Sequence, residues 1–399
     1  MGRRLVPRGC LVGAPIAFVV ATCLALSPAT GRAHDPSSWG GIFRSRDAGA
    51  TWFLANQGRF VGGALALAIS PNDPNHLLLA SDSGLLWSAN GGRDWDLVAS
   101  DDLAGPVFSV AFDADGQRAL AATAWTIARS SGQGDWEPAA MPTGAAAPIR
   151  GLVSGGAPGV FYLLGPGGIF RTDDAAERWT AVDAGLPAEP PAALVAAARP
   201  TPVLYALVGG QLWSSADEGR TWKPSSAGLP TGRVEAIAAD RHRDSLLWAA
   251  GDGRVFRSDD RGATWWPFGQ PLPEPDTEIR AVAAGGSGLP VLVSTQRGLY
   301  RWAGDGRGWT LLADNLPAHL EAGPLVADPV DASTFYAGFS LTPYDELWRT
   351  AAERRPATAR IGAGDLAGAA AVIVLLCLGA SAALRRLARA RAADAGVVA

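Results

Sequence analysis

Three short stretches set a carboxylate between two hydroxyls: Ser45, Asp47 and Thr51; Ser215, Asp217 and Thr221; Ser258, Asp260 and Thr264. Clustered oxygen donors of this kind could hold a hard cation, but calcium takes roughly 6–8 oxygens and each stretch brings one carboxylate. A turn explains the spacing better. Asp side chains bond backbone amides two residues on, and the glycine two places after each Asp (Gly49, Gly219, Gly262) takes positive φ without a steric penalty. The histidines, His34, His76, His242 and His319, are scattered without ligand spacing. The cysteines, Cys10, Cys23 and Cys377, all fall in the two apolar terminal segments. The sequence therefore predicts no metal site, no disulfide framework in the body and no cofactor.

Each of these stretches closes on a tryptophan, giving the pattern S-x-D-x-G-x-T-W at Trp52, Trp222 and Trp265. Altered copies end at Trp95, where Asn90 takes the Asp place, at Trp136, at Trp179, which keeps Asp174, and at Trp309. The seven tryptophans are spaced 43, 41, 43, 43, 43 and 44 residues apart. A fixed period of that size marks a repeat architecture, in which each unit buries its apolar face against its neighbours. The tryptophan, large and with one N–H to satisfy, is expected to wedge between adjacent units.

The elements that carry these turns are short apolar runs broken by Gly, Pro, Asn and Asp. Residues 62–100 illustrate one unit: strands near 63–69, 76–80, 85–88 and 95–99, joined by tight turns. Four strands in about 43 residues is the size of one β-propeller blade. The fold class is thus all-β, a seven-bladed propeller of four-stranded blades spanning residues 34–356. The last unit ends without its fourth strand, and Gly41 to Gln57 supplies one with nothing before it. Joining the two ends in one blade would remove the open edges. Both ends offer a third strand, Ile42-Phe43-Arg44 and Leu347-Trp348-Arg349, so eight blades is the alternative.

The turns resemble the Asp-box (BNR) repeat across residues 41–350, with Phe43-Arg44, Phe256-Arg257 and Tyr300-Arg301 as its aromatic-basic lead-in. The resemblance implies a propeller and leaves function open, since sialidases, xyloglucanases, sortilin-type receptors and the photosystem II assembly-factor family share it. A sialidase-like member would grip a substrate carboxylate with three arginines and use a Tyr nucleophile with a Glu partner. The channel-facing first-strand positions align as Leu65, Phe108, Arg150, Leu194, Glu235, Arg280 and Gly323, which supplies two arginines and a glutamate. A structural pairing of Arg150 and Arg280 with Glu235 at the channel mouth is the favoured account of them. Tyr344 is the one tyrosine expected in a loop. A xyloglucanase-like mechanism needs a cleft between two propellers, and this chain predicts one. The resemblance to the assembly-factor branch, also a single propeller of this size, implies binding. The faces opposite the boxes offer Arg150, Glu235, Arg280, Arg297, Tyr344 and Trp125 as binding candidates.

Charge and hydropathy set the compartment. Residues 34–353 carry 23 basic and 36 acidic side chains, a net of −13. So acidic a body argues against a nucleic-acid partner. Arg3, Arg4 and Arg8 precede an apolar run to Leu26 and then small residues, the three parts of a signal peptide over residues 1–33. After a linker at 357–365, residues 366–384 hold no charge and are long enough to cross a bilayer as a helix. The basic tail 385–399 then places itself in the cytoplasm and the propeller outside it, in the cell membrane. The function expected is a membrane-anchored, extracytoplasmic, non-catalytic scaffold whose partner is a membrane or secreted protein. The alternative is a glycan binder or divergent sialidase-type hydrolase.

Overall fold

The computed structural model describes residues 40–354, apart from 132–134, 198–201, 231–232, 241, 244, 287, 289 and 318. The segments read as signal peptide, membrane helix and basic tail lie outside the described residues. Among the described residues, no helix is long and apolar enough to cross a membrane.

Seven four-stranded antiparallel sheets form the body. Blades one to six run in chain order, with first strands at Ala64–Ile69, Ser109–Phe112, Gly151–Ser154, Pro191–Ala197, Ala236–Ala239 and Ile279–Ala284. Blade seven is composite. Its first and second strands, Glu321–Ala327 and Phe335–Ser340, come from the end of the body, and its third and fourth, Gly41–Ser45 and Phe53–Leu54, from the start. Gly41 to Ser45 pairs antiparallel with Phe339 to Phe335 over five residues. On the N-terminal side of this junction the buried amide of Asn56 braces the strand, accepting from the Ile42 N–H at 2.9 Å and donating to the Arg59 carbonyl at 2.8 Å. Leu341 N–H then reaches the Gly62 carbonyl at 2.8 Å, tying blade seven to blade one.

Blade count is therefore seven, and the eight-bladed alternative is excluded. The third strand predicted at Leu347-Trp348-Arg349 is a helix instead, α1, spanning Tyr344–Glu353. The physical reason is local: Pro343 stands ahead of Asp345 and Glu346, acids that suit a helix N-terminus, and an Ala-containing run follows. With Gly41–Ser45 filling the third place, the sheet has no vacancy for a competing strand.

Second strands are the most buried elements. Every residue of Leu77–Ser81, Phe161–Gly165, Leu247–Gly251, Val291–Thr295 and Phe335–Ser340 is buried. They are apolar on both faces because each packs against two neighbouring blades. The fourth strands are two to four residues long and largely exposed, so the outer edges are too short to template further pairing.

Candidate functional site

The conspicuous Ser, Asp and Thr side chains are consumed by their own turns. In the second intact copy, Ser215 Oγ donates to Asp217 Oδ1 at 2.8 Å and accepts from the Gly219 N–H at 2.9 Å. Thr221 donates its N–H to Asp217 Oδ1 at 2.9 Å and its hydroxyl to Oδ2 at 2.7 Å. The copies at Ser45 and Ser258 repeat this arrangement. Hydrogen bonds from the Thr221 hydroxyl and N–H, then from Ser215, hold the Asp217 carboxyl down at about 2. Two altered copies rebuild the network with other partners: Asn90 bonds Asp94, and Asp174 bonds Arg178. The residue before each glycine also takes positive φ, at Ala48, Glu218 and Arg261, and Ala176 does so where a glycine stands in the intact copies.

The tryptophans reach across blades. The indole N–H of Trp95, Trp179, Trp222, Trp265 and Trp309 donates to Ala55, Ala140, Val182, Ser225 and Gln270 carbonyls at 2.7–2.9 Å, each some forty residues earlier. Trp52 bonds within its own turn, to the Gly49 carbonyl at 3.2 Å. Trp136 begins the fourth strand of blade two and is half-buried.

The other face carries the more open chemistry. Because the strands alternate in direction, the start of each first strand lies at the end of the blade opposite these turns. A cavity of about 760 Å³ opens there at the channel mouth, lined by Arg150, Glu235, Arg280, Glu321, Tyr344 and Asp345 among others. Five of the seven predicted channel positions line it: Leu65, Arg150, Glu235, Arg280 and Gly323. Leu194 lines a second cavity, of about 520 Å³, formed with residues from the ends of first strands. Phe108 is covered by α1.

Arg280 is the hub. It contacts Glu278 at 2.9 Å, Glu321 at 2.8 Å and Asp345 at 2.9 Å, and its side chain is 15% exposed. The Nε–Oε1 contact to Glu321 is not aligned as a hydrogen bond, so it is Coulombic. Burial opposes the charge on Arg280, but Asp345 and the neighbouring carboxylates outweigh it and raise its pKa. Burial also lifts the Glu321 carboxyl above its ordinary range, despite Arg280 beside it.

Glu235 stands apart from both arginines. Its Oε2 accepts the Ile279 N–H at 2.8 Å, and burial raises its carboxyl. The pairing of Arg150 and Arg280 with Glu235 is thus corrected: the carboxylates beside Arg280 arrive from blades six and seven and from α1. Arg150 lays its guanidinium over the Trp348 ring, 4.1 Å from the centroid. Tyr344, expected in a loop, is the first residue of α1. Its ring meets Phe108 edge-on at 5.6 Å, and burial pushes its hydroxyl to about 12. Trp125 donates its indole N–H to the Ala351 carbonyl at 2.9 Å. Arg297 lies on the same face, away from the cavity lining, and pairs with Glu274 at 2.7 Å.

The mouth therefore brings Arg150, Arg280, Tyr344 and Trp125 together around α1, with Glu235 across the cavity. Sequence reasoning placed the stretches 271–278 and 340–346 on this face but did not bring Glu278, Glu321 and Asp345 to Arg280, and it missed the helix itself. Glu278 and Glu321 each stand two residues before an aligned channel position, Arg280 and Gly323, which is the signal that could have found them. Tyr344, Leu347, Trp348 and Ala351 recur at helical spacing behind a proline, which could have found α1.

No known family profile matches the chain, and no curated protein matches it. Solved structures do. YCF48 bound to a D1 peptide superposes with a TM-score of 0.54 at 14% identity, covering 78% of this chain and 97% of that one. YCF48 from Cyanidioschyzon merolae gives 0.55 at 16% identity, covering 70% and 96%. The GH74 xyloglucanase from Xanthomonas campestris gives 0.54 at 20% identity, covering 73% of this chain and 55% of the enzyme. At these identities the likeness is one of fold: a β-propeller built of repeated blades.

Proposed function

We propose that this chain is a membrane-anchored, extracytoplasmic scaffold of the Asp-box type that binds a protein partner at the channel mouth opposite its Ser-Asp-Thr turns. The observation that carries the reading is the saturation of Arg280 by Glu278, Glu321 and Asp345. An arginine meant to grip a sugar carboxylate would face its substrate uncommitted. Here one arginine is ringed by three acids and Arg150 is stacked on Trp348. What the mouth offers instead is a shaped, charged and aromatic recess, which suits recognition. The protein-bound YCF48 structure is a propeller of the same architecture engaging a peptide, which supports the reading by analogy of fold.

The anchor gives the mouth a direction. α1 starts at the cavity with Tyr344 and Asp345 and runs past Trp125 to end at Glu353 on the same face, and residues 355–365 separate Arg354 from the uncharged run at 366. Eleven residues reach about 36–40 Å when extended. The mouth then faces the membrane, and partners would be membrane proteins or their short extracytoplasmic loops.

The test uses the full chain in detergent, assayed on sialosides and β-glucans beside Arg150→Ala and Arg280→Ala. No turnover in any form is the expected outcome, and turnover abolished by either substitution would sink the scaffold reading. Cross-linking and affinity capture from native membranes should return a membrane protein whose recovery falls when Arg150 or Trp125 is replaced by Ala.

A further inference from the structure

α1 contributes no strand and closes no blade, since blade seven has its four strands without it. Ten residues are too few to hold a helix in water on their own, and no α1 residue is fully buried. The helix persists because of what it rests on. Beneath it lies an apolar floor that belongs to the propeller, Leu65, Phe108 and Ala124, with Trp125 at its side.

Each contact residue on α1 meets its own receptor group. Tyr344 packs edge-on against Phe108, Asp345 pairs with Arg280 at 2.9 Å, and Trp348 lies under the Arg150 guanidinium. Two indoles add hydrogen bonds in opposite directions: Trp348 to the Ile149 carbonyl at 3.3 Å, and Trp125 to the Ala351 carbonyl at 2.9 Å. Tyr344 and Asp345 also line the 760 Å³ cavity, so the first turn of α1 borders open space. This is how a groove reads an amphipathic helix, through anchors spaced to lie on one face.

We propose that the seat of α1 is a recognition groove for amphipathic helices bearing an aromatic residue, an acid at the next position and a second aromatic four positions after the first, and that α1 is its resident, competing occupant. The groove supplies one group per feature: Phe108 for the first ring, Arg280 for the acid and Arg150 for the face of the second ring. A partner helix of this pattern enters beside the first turn of α1 and displaces it, so affinity depends on how often the seat is open. The proposal rests on the scaffold reading and names the class of partner.

A fluorescent peptide with the sequence of residues 342–354 serves as probe, measured by anisotropy against the full chain in detergent. In the double variant Asp345→Ala, Trp348→Ala the resident helix loses both anchors. The peptide should bind this variant saturably and at least about tenfold more tightly than wild type, because the open fraction has risen. A peptide carrying the same two substitutions should not bind. Circular dichroism and thermal melting establish that the variant propeller is folded. If the folded variant binds neither peptide, or both alike, the groove does not exist. Capture separates this inference from the scaffold reading. A partner recovered equally by wild type and variant, and not released by the peptide, overturns the groove and leaves the scaffold. Peptide binding with no partner recovered by either form does the reverse.

Discussion

At the scale of single residues, the Ser-Asp-Thr turns are internally satisfied electrostatic units. Asp217 is held at about 2 by Thr221 and Ser215, and Asp260 is lowered by Thr264 in the same way. Asp47 and Asp174 also sit at about 2, where burial acts upward and is overcome by their turn donors. An unfolded aspartate titrates near 4. Between pH 4 and 2 these aspartates therefore bind more protons in the unfolded chain than in the folded one, so their contribution to stability is lost as pH falls through that window and is complete above it. Asp217→Asn removes one titrating group while keeping an acceptor, as Asn90 already does in blade one. Melting temperatures measured from pH 5 to 2 should fall less steeply in that variant, and parallel curves would contradict the assignment. Burial raises Glu235 and Glu321, so their contribution is lost in the other direction, as pH rises above the unfolded glutamate value. The tryptophans grade similarly. Trp265 is 2% exposed and bonded to the Ser225 carbonyl, so Trp265→Ala should cost about 3–5 kcal/mol in urea unfolding. Trp179 is only half-buried, and its replacement should cost clearly less.

At the scale of elements, the weak point is the seam of blade seven, where chain start and chain end must meet. Asn56 braces its N-terminal side. Asn56→Ala leaves the buried Ile42 N–H without its acceptor, a loss of about 1–3 kcal/mol. Hydrogen exchange should show the added opening in Gly41–Ser45 before the six continuous blades, while equal loosening everywhere would mean the seam has no separate stability. The same seam shows what the sequence could reveal. A tryptophan every 43 residues or so counted the blades, because the spacing is set by the repeat and not by any one contact. The missing fourth strand at one end and the orphan strand at the other pointed to a split blade. What periodicity obscured was the departure from it. Leu347-Trp348-Arg349 stands where a third strand falls due, and the repeat phase overrode a proline, two acids and an i, i+3, i+4, i+7 apolar face. The channel positions were legible for a related reason, since first strands recur with the turns. Their partners were not: Asp345 reaches Arg280 across 65 positions and only because α1 folds back over the mouth. Arg150 pairing with a ring, where a carboxylate was expected, follows from the same helix.

At the scale of the whole molecule, the two faces of the ring are chemically unlike, and the anchor would decide which one the membrane meets. On the far face the Ser, Asp and Thr side chains of the repeated turns are spent on hydrogen bonds within those turns. The mouth keeps a cavity, carboxylates and aromatic side chains, and the chain leaves it at Arg354 toward the uncharged run beginning at residue 366. With the proposed anchor at 366–384, eleven intervening residues would permit tilt but would shorten the mean distance from mouth to bilayer relative to the far face. That asymmetry is measurable in vesicles carrying a headgroup acceptor dye. With Cys10, Cys23 and Cys377 replaced by Ser, single cysteines at Arg297→Cys, on the mouth side, and Ala263→Cys, in a turn on the far side, would each take a donor label. Energy transfer should be the greater from position 297. The acidic body, at −13, is repelled by anionic headgroups, so raising the salt should bring position 297 closer and strengthen its transfer further. Equal transfer from the two positions would mean that the tether leaves the ring free to tumble. Stronger transfer from 263 would turn the mouth outward, and partners would then be soluble or on another surface.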